Sequence, residues 1–257
     1  MNKIAFLFFI SFTLFTSCQK QTFKNIDVEE VLGTDYFPLH IGDWWVYQVD
    51  SIIYDLEKNK VLHDTIHTTV KLIITDTFSL GDDIQAFKVE RFQRAFDSAP
   101  WKALDSWWAA KDEVGAWSNE GNLLFQKLTF PVKIGRRWEG NAHIGEHVSL
   151  MVHEDILEQV FDGWTYRYVA LIQPEKIGEV SYDDVITVRE VDNTLDAPPT
   201  IDYQKAYSKY AKGVGLVYKK WILLHDIDTS PDPSIPFADR AEEGFFLEQT
   251  LLEYHVQ

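Results

Sequence analysis

From residue 44 to the C-terminus, apolar and polar side chains alternate along the chain with a period of two. Between Val61 and Thr75 the even positions run Leu62, Asp64, Ile66, Thr68, Val70, Leu72 and Ile74. The odd ones include His63, Thr65, His67, Thr69, Lys71 and Thr75. Successive side chains of a strand point to opposite faces, so this pattern predicts a strand buried on one side. The same β-branched and aromatic texture predicts strands at Trp44–Tyr54, Ile84–Gln93, Trp101–Ala109 and Val148–Val152. It continues at Trp164–Ile172, Tyr182–Val191, Val214–Leu224 and Phe245–Val256. Turn residues separate the runs at Glu57-Lys58-Asn59-Lys60, Gly81-Asp82-Asp83, Asn119-Glu120-Gly121-Asn122 and Asp162-Gly163. Helical periodicity is confined to one or two turns at Ile26–Leu32. Without helices long enough for crossovers, the strands must pair antiparallel. The expectation is one all-β domain over residues 34–257, an antiparallel open barrel or two-sheet sandwich with little helix.

Composition narrows the function. The chain has 257 residues, 46% of them apolar and 14% aromatic, enough to bury a core. Its net charge of −16 argues against nucleic-acid binding, which depends on Lys and Arg neutralising phosphates.

The N-terminus carries an address. Met1-Asn2-Lys3 is followed by the 13-residue apolar run Ile4–Thr16, then Ser17 and Cys18. At ~1.5 Å per helical residue such a run spans ~20 Å, too short for a ~30 Å hydrocarbon core, so it reads as a signal peptide over residues 1–17. Leu14-Phe15-Thr16-Ser17-Cys18 resembles the lipobox of bacterial lipoproteins, with Phe15 in place of the usual Leu. That resemblance implies that Cys18, the only cysteine, is acylated and becomes the first mature residue. Two or more acyl chains make membrane attachment stable, at ~0.8 kcal/mol per buried CH₂. Residues 18–33 would then form a lipidated tether, polar and locally basic at Gln19–Lys24. Gln19 stands where inner-membrane lipoproteins carry a retaining Asp, which by resemblance favours the outer membrane. With a single cysteine the mature domain has no disulfide and must rest on its core.

Two nonapeptides share a register 93 residues apart: Phe37-Pro38-Leu39-His40-Ile41-Gly42-Asp43-Trp44-Trp45 and Phe130-Pro131-Val132-Lys133-Ile134-Gly135-Arg136-Arg137-Trp138. Pro fixes φ, Gly admits positive φ, and a Trp opens the strand that follows. Trp45 and Trp138 are therefore either paired ligand-facing residues or core plugs. In the dipeptides Trp44-Trp45 and Trp107-Trp108 one ring must face inward and one outward, which adds Trp107 and Trp108 as candidate ligand contacts. The first nonapeptide with Val46-Tyr47, then Tyr182-Asp183-Asp184-Val185 and Tyr210-Ala211-Lys212-Gly213-Val214-Gly215-Leu216-Val217-Tyr218, resembles uncharacterised secreted lipoproteins of Bacteroidota. The resemblance implies an exported antiparallel β lipoprotein and no reaction. Surface-exposed members often carry an acidic run after the lipidated cysteine. Its absence here favours the periplasmic face.

Catalytic and cofactor signatures are weak throughout. His143-Ile144-Gly145-Glu146-His147 has the spacing of an inverted zinc-peptidase motif, but Gly145 and the alternating residues after it oppose the required helix. His63 and His67 share a strand face ~13 Å apart, too far for one zinc. Gly213-Val214-Gly215 lacks the third glycine of a dinucleotide loop. Asp226-Ile227-Asp228 opens like a calcium loop, but Pro231 and Phe237 occupy the turn-glycine and bidentate positions. No catalytic residue, metal ligand or cofactor is assigned. The long Asp226–Gly244 connection is either a lid or binding element or a solvated hairpin connection. The expected function is a non-catalytic lipoprotein, held to the membrane through Cys18, that binds a small apolar or sugar-like ligand or an envelope protein. The rivals are a glycan-acting hydrolase with two carboxylates roughly 5 to 9.5 Å apart and a lipid carrier with an apolar cavity.

Overall fold

The computed structural model describes residues 31–57, 60–81, 84–145, 148–152, 155–195, 201–228, 232 and 234–257. Cys18 and most of the expected Ile26–Leu32 helix lie outside them.

Twelve antiparallel strands form one sheet that curls into a nearly closed barrel. Its first half is a meander of β1 (Trp44–Glu57), β2 (Lys60–Leu80), β3 (Ile84–Arg94), β4 (Lys102–Lys111), β5 (Gly115–Glu120) and β6 (Leu123–Thr129). Next come β7 (Arg137–Trp138) and a small separate hairpin of β8 (Leu150–Val152) and β9 (Asp155–Leu157). The second half is completed by β10 (Tyr166–Ile177), β11 (Val180–Asp192), β12 (Asp202–Ala211), β13 (Gly215–His225) and β14 (Glu243–His255). Strand β14 returns to pair with β1, joining the halves along one side. A barrel, rather than a sandwich, is the antiparallel architecture adopted, and the helix in it amounts to single turns.

Along the opposite seam, side chains complete the ladder. The Tyr168 hydroxyl accepts from Thr129 N–H at 3.1 Å and donates to Thr129 O at 2.8 Å, so one phenol satisfies both backbone groups of a β6 edge residue. The Trp138 indole N–H donates to Gln126 O at 2.9 Å, and Gln126 N–H donates to Gly140 O at 2.6 Å.

A repeated turn sets up both halves. Asp43 N–H donates to His40 O and Arg136 N–H to Lys133 O, at 3.1 and 3.0 Å, around Gly42 and Gly135, whose φ values are 96° and 78°. Each glycine N–H then reaches the neighbouring strand at 2.9 Å, Gly42 to Ile74 O and Gly135 to Tyr168 O. Ile41 and Ile134, at equivalent turn corners, are 52% and 55% exposed. The sequence repeat is thus a repeated device that turns the chain and docks it on its first strand partner.

An eight-stranded barrel is about the width that side chains alone can fill, so a wider one needs large rings and inserted chain. Segment 31–41 crosses the mouth where β1 begins. Val132 N–H donates to Leu32 O, Gly213 N–H to Asp35 O, and Lys111 Nζ to Thr34 O. The Tyr36 hydroxyl donates to Asp184. At Gly215, φ 95°, an added Cβ would lie 3.3 Å from Pro38, so the β12–β13 turn can fit closely under this segment. The far mouth is filled by Val160, Phe161 and Trp164, with Phe161 and Trp164 packed edge-on against Trp221.

Candidate functional site

Two apolar clusters fill the barrel, one around Phe125, Tyr166, Ile186 and Trp221, the other around Trp45, Val70, Ile74 and Val89. Charged side chains are set between them on inward strand positions. Glu120, at the end of β5, pairs with Lys127 of β6 at 2.8 Å and lies 3.9 Å from the ammonium of Lys219 on β13. The Lys127 ammonium is 4.2 Å from the Phe125 ring centre, and that of Lys219 is 3.9 Å from the Trp221 ring. Aromatic faces thus supply part of the negative potential that water would otherwise provide. Glu190 of β11, fully buried, accepts from the Trp221 indole N–H at 2.8 Å and from the Ser208 hydroxyl. Arg91 of β3 makes a bidentate pair with Asp105 at 2.9 and 3.0 Å and stacks its guanidinium 3.6 Å over Trp107.

The electrostatics follow from this packing. Burial alone would raise the Glu120 carboxyl. The ammonium groups of Lys127 and Lys219, with hydrogen bonds from Lys127 and Ser118, outweigh it and hold the group at about 2. Burial pushes the Lys219 ammonium below its ordinary value, partly offset by Glu120 and Glu190.

Beside this cluster lies a partly open cavity of about 240 Å³. Its apolar wall includes Trp45, Val49, Val70, Ile74, Val89 and Ala109; Phe37, Pro38 and Leu39 of the mouth-crossing segment close one side. Its charged end holds Arg91, Glu120, Lys127 and Lys219. The space is therefore amphipathic, large enough for a small molecule and supplied with orienting polar groups.

Of the aromatic candidates, Trp45 and Trp107 line the cavity, and Trp138 and Trp108 are not among the residues that do. Trp45 is held by an indole N–H bond of 2.7 Å to Val214 O. Trp138 packs on Tyr166 and Tyr168 at the seam. Trp108 sits opposite Lys88 and Asn119 in the ladder. The charged members went unnoticed in the sequence. The available signal was an ionic residue in step with apolar or aromatic ones, as in Val217-x-Lys219-x-Trp221 and Val89-x-Arg91.

Of the other sequence candidates, Gly215 lines the cavity, whereas His67, His143, Asp226 and Asp228 are not among the residues that do. His143 occupies a turn, Glu146 and His147 fall outside the described residues, and His67 pairs with Asp50 at 2.6 Å. Among the described residues no three His, Cys, Asp or Glu side chains are grouped to hold a metal. In the described part of the Asp226–Gly244 connection, Phe237 packs against Tyr203, and Arg240 pairs with Asp226 and stacks 4.2 Å over Phe237. A second depression of about 350 Å³, at the far mouth, is lined by polar residues that include Glu158, Asp202, His225 and Glu243. Asp202 and His225 pair there at 2.9 Å.

No family model matches the chain, and no curated protein matches it. Among solved structures, it is similar to a protein from Bacteroides fragilis described as exported, with a YmcC-like fold. That pair is 10% identical with a TM-score of 0.42, over 85% of this chain and 98% of the other. It is also similar to a protein from Parabacteroides distasonis described as a lipoprotein, 11% identical with a TM-score of 0.37, over 86% of this chain and 98% of the other. At such identities and scores neither similarity bears on what this chain does.

Proposed function

We propose that the protein is a non-catalytic, lipid-anchored component of the bacterial cell envelope whose barrel binds a small molecule with an apolar body and a polar end. The observation that carries the binding is the 240 Å³ cavity, apolar on one side and charged on the other, enclosed by β1–β6, β12–β14 and segment 37–39. Anchoring at Cys18, on the outer membrane and facing the periplasm, rests on the N-terminal sequence pattern alone.

Size argues against the lipid carrier. A cavity of ~150 Å³ holds one benzene, so 240 Å³ admits a ring or a short chain and not two acyl chains. The hydrolase gains no support from this cavity: among the described residues Glu120 is the only carboxylate in its lining, and two lysines hold it ionised. A general acid needs the opposite shift.

Calorimetric titration of the full mature chain with 1-octanol tests the binding reading. Saturable binding is expected, at least tenfold weaker after Ala109→Phe fills the cavity. Failure of the unaltered protein to bind, or equal binding by the filled variant, would overturn it.

A further inference from the structure

Among the described residues, the hydrogen-bonding capacity left unused by Lys219, Trp107 and Arg91 at the cavity is all of the donor kind. Lys219 carries three N–H donors, yet its closest carboxylate oxygen is 3.9 Å away, beyond hydrogen-bond reach, and its other close neighbour is the Trp221 ring. Trp107 Nε1 and Arg91 Nε are buried and have no hydrogen-bond partner among the described residues. Buried donors without acceptors are costly, and an entering ligand removes that cost only by supplying acceptors. The carboxylates nearby are committed elsewhere. Glu120 is engaged by Lys127 and Ser118, Glu190 by Ser208 and Trp221, and both oxygens of Asp105 by Nη1 of Arg91. The lining therefore presents three cations against one carboxylate.

We propose that the cavity selects a small amphipathic carboxylate, with one short chain or ring against Trp45 and Ala109 and its carboxylate accepting from the Lys219 ammonium. This rests on the binding function proposed above and adds the sign of the ligand's head group. A neutral alcohol gives Lys219 one acceptor atom, a carboxylate gives two together with a negative charge within hydrogen-bond reach, which Glu120 at 3.9 Å does not supply, and an amine adds a fourth cation. Lys219 projects from β13 at the charged end of the cavity, opposite the apolar wall, so it fixes which way round such a molecule enters.

Three probes of equal chain length, titrated into the full mature chain, separate the possibilities: octanoate, 1-octanol and octylamine. Octanoate is expected to bind at least tenfold more tightly than 1-octanol, and octylamine more weakly than either. Lys219→Met is expected to remove the octanoate preference while keeping octanol binding. Trp107→Phe, which keeps the ring and deletes the N–H, is expected to reduce octanoate affinity severalfold. Equal affinity for octanoate and octanol in the unaltered protein, or tighter binding of octylamine, would overturn the carboxylate assignment and leave the cavity's binding role standing. Absence of binding by all three would remove that role as well. The comparison among probes on the unaltered chain decides the matter even if a variant fails to fold.

Discussion

Glu120 is the most consequential single side chain of the interior, because two lysines depend on its charge. Its carboxyl is held at about 2 against an ordinary 4.5. A depressed carboxylate stabilises the fold fully above the unfolded-state value and loses that contribution as pH falls through the folded one. At ~1.36 kcal/mol per pH unit the contribution is at most about 3 kcal/mol. Chemical denaturation in a pH series should therefore show stability declining from about pH 4.5 toward 2, and Glu120→Gln should flatten that decline while lowering stability at neutral pH. An unchanged acid limb in the variant would show that Glu120 is not the group responsible. Of the cavity residues, Trp45 and Trp107 were legible in the sequence because aromatic rings in a strand are candidates wherever they face. Lys219 was not, since Lys219-Lys220 presents a lysine to both sides of the strand and conceals which one is buried.

Elements divide in the same way. Strands with apolar inward faces, such as β2 with Val70 and Ile74, were predicted, whereas β5, β6 and β12 were not. In β5 the inward positions include Ala116 and Ser118, and in β12 Ala206 and Ser208 precede the buried Tyr210, so small or polar residues flatten the alternation over much of each strand. Two of the strands hidden from hydrophobic periodicity are thus ones that contribute polar side chains to the charged cluster, and for the same reason. The nonapeptide repeat was legible as a turn, but its docking on a neighbouring strand required knowledge of the barrel's order. Two element-scale outcomes are expected. Tyr168→Phe leaves Thr129 N–H and C=O without their partner at the seam and should cost about 1–3 kcal/mol in denaturant unfolding, with faster hydrogen exchange at Thr129. Gly42→Ala and Gly135→Ala each place a side chain at positive φ and should each cost about 1 kcal/mol, similar in size if the two turns are equivalent. A neutral effect at either glycine would contradict the shared turn geometry.

At the scale of the whole molecule, a twelve-stranded barrel explains why the chain is rich in large rings and why chain segments enter both mouths. Filling is incomplete beside the charged cluster in the half nearer segment 31–41, where the amphipathic cavity lies, and at the polar depression of the far mouth. That segment leads back toward Cys18, so under the proposed anchor it joins the cavity's mouth to the membrane attachment. Cys18→Ala should move the protein from the membrane fraction to the soluble fraction without changing its stability; continued tight membrane association would refute the anchor and leave the cavity untouched. The central claim, that the barrel interior is a binding site, is met most directly by a crystal grown with 8-bromo-1-octanol, in which anomalous scattering locates the bromine. The account predicts a peak inside the barrel, against the wall formed by Trp45, Val70 and Ala109. Bromine found only on the outer surface of the barrel, at saturating probe, would contradict it.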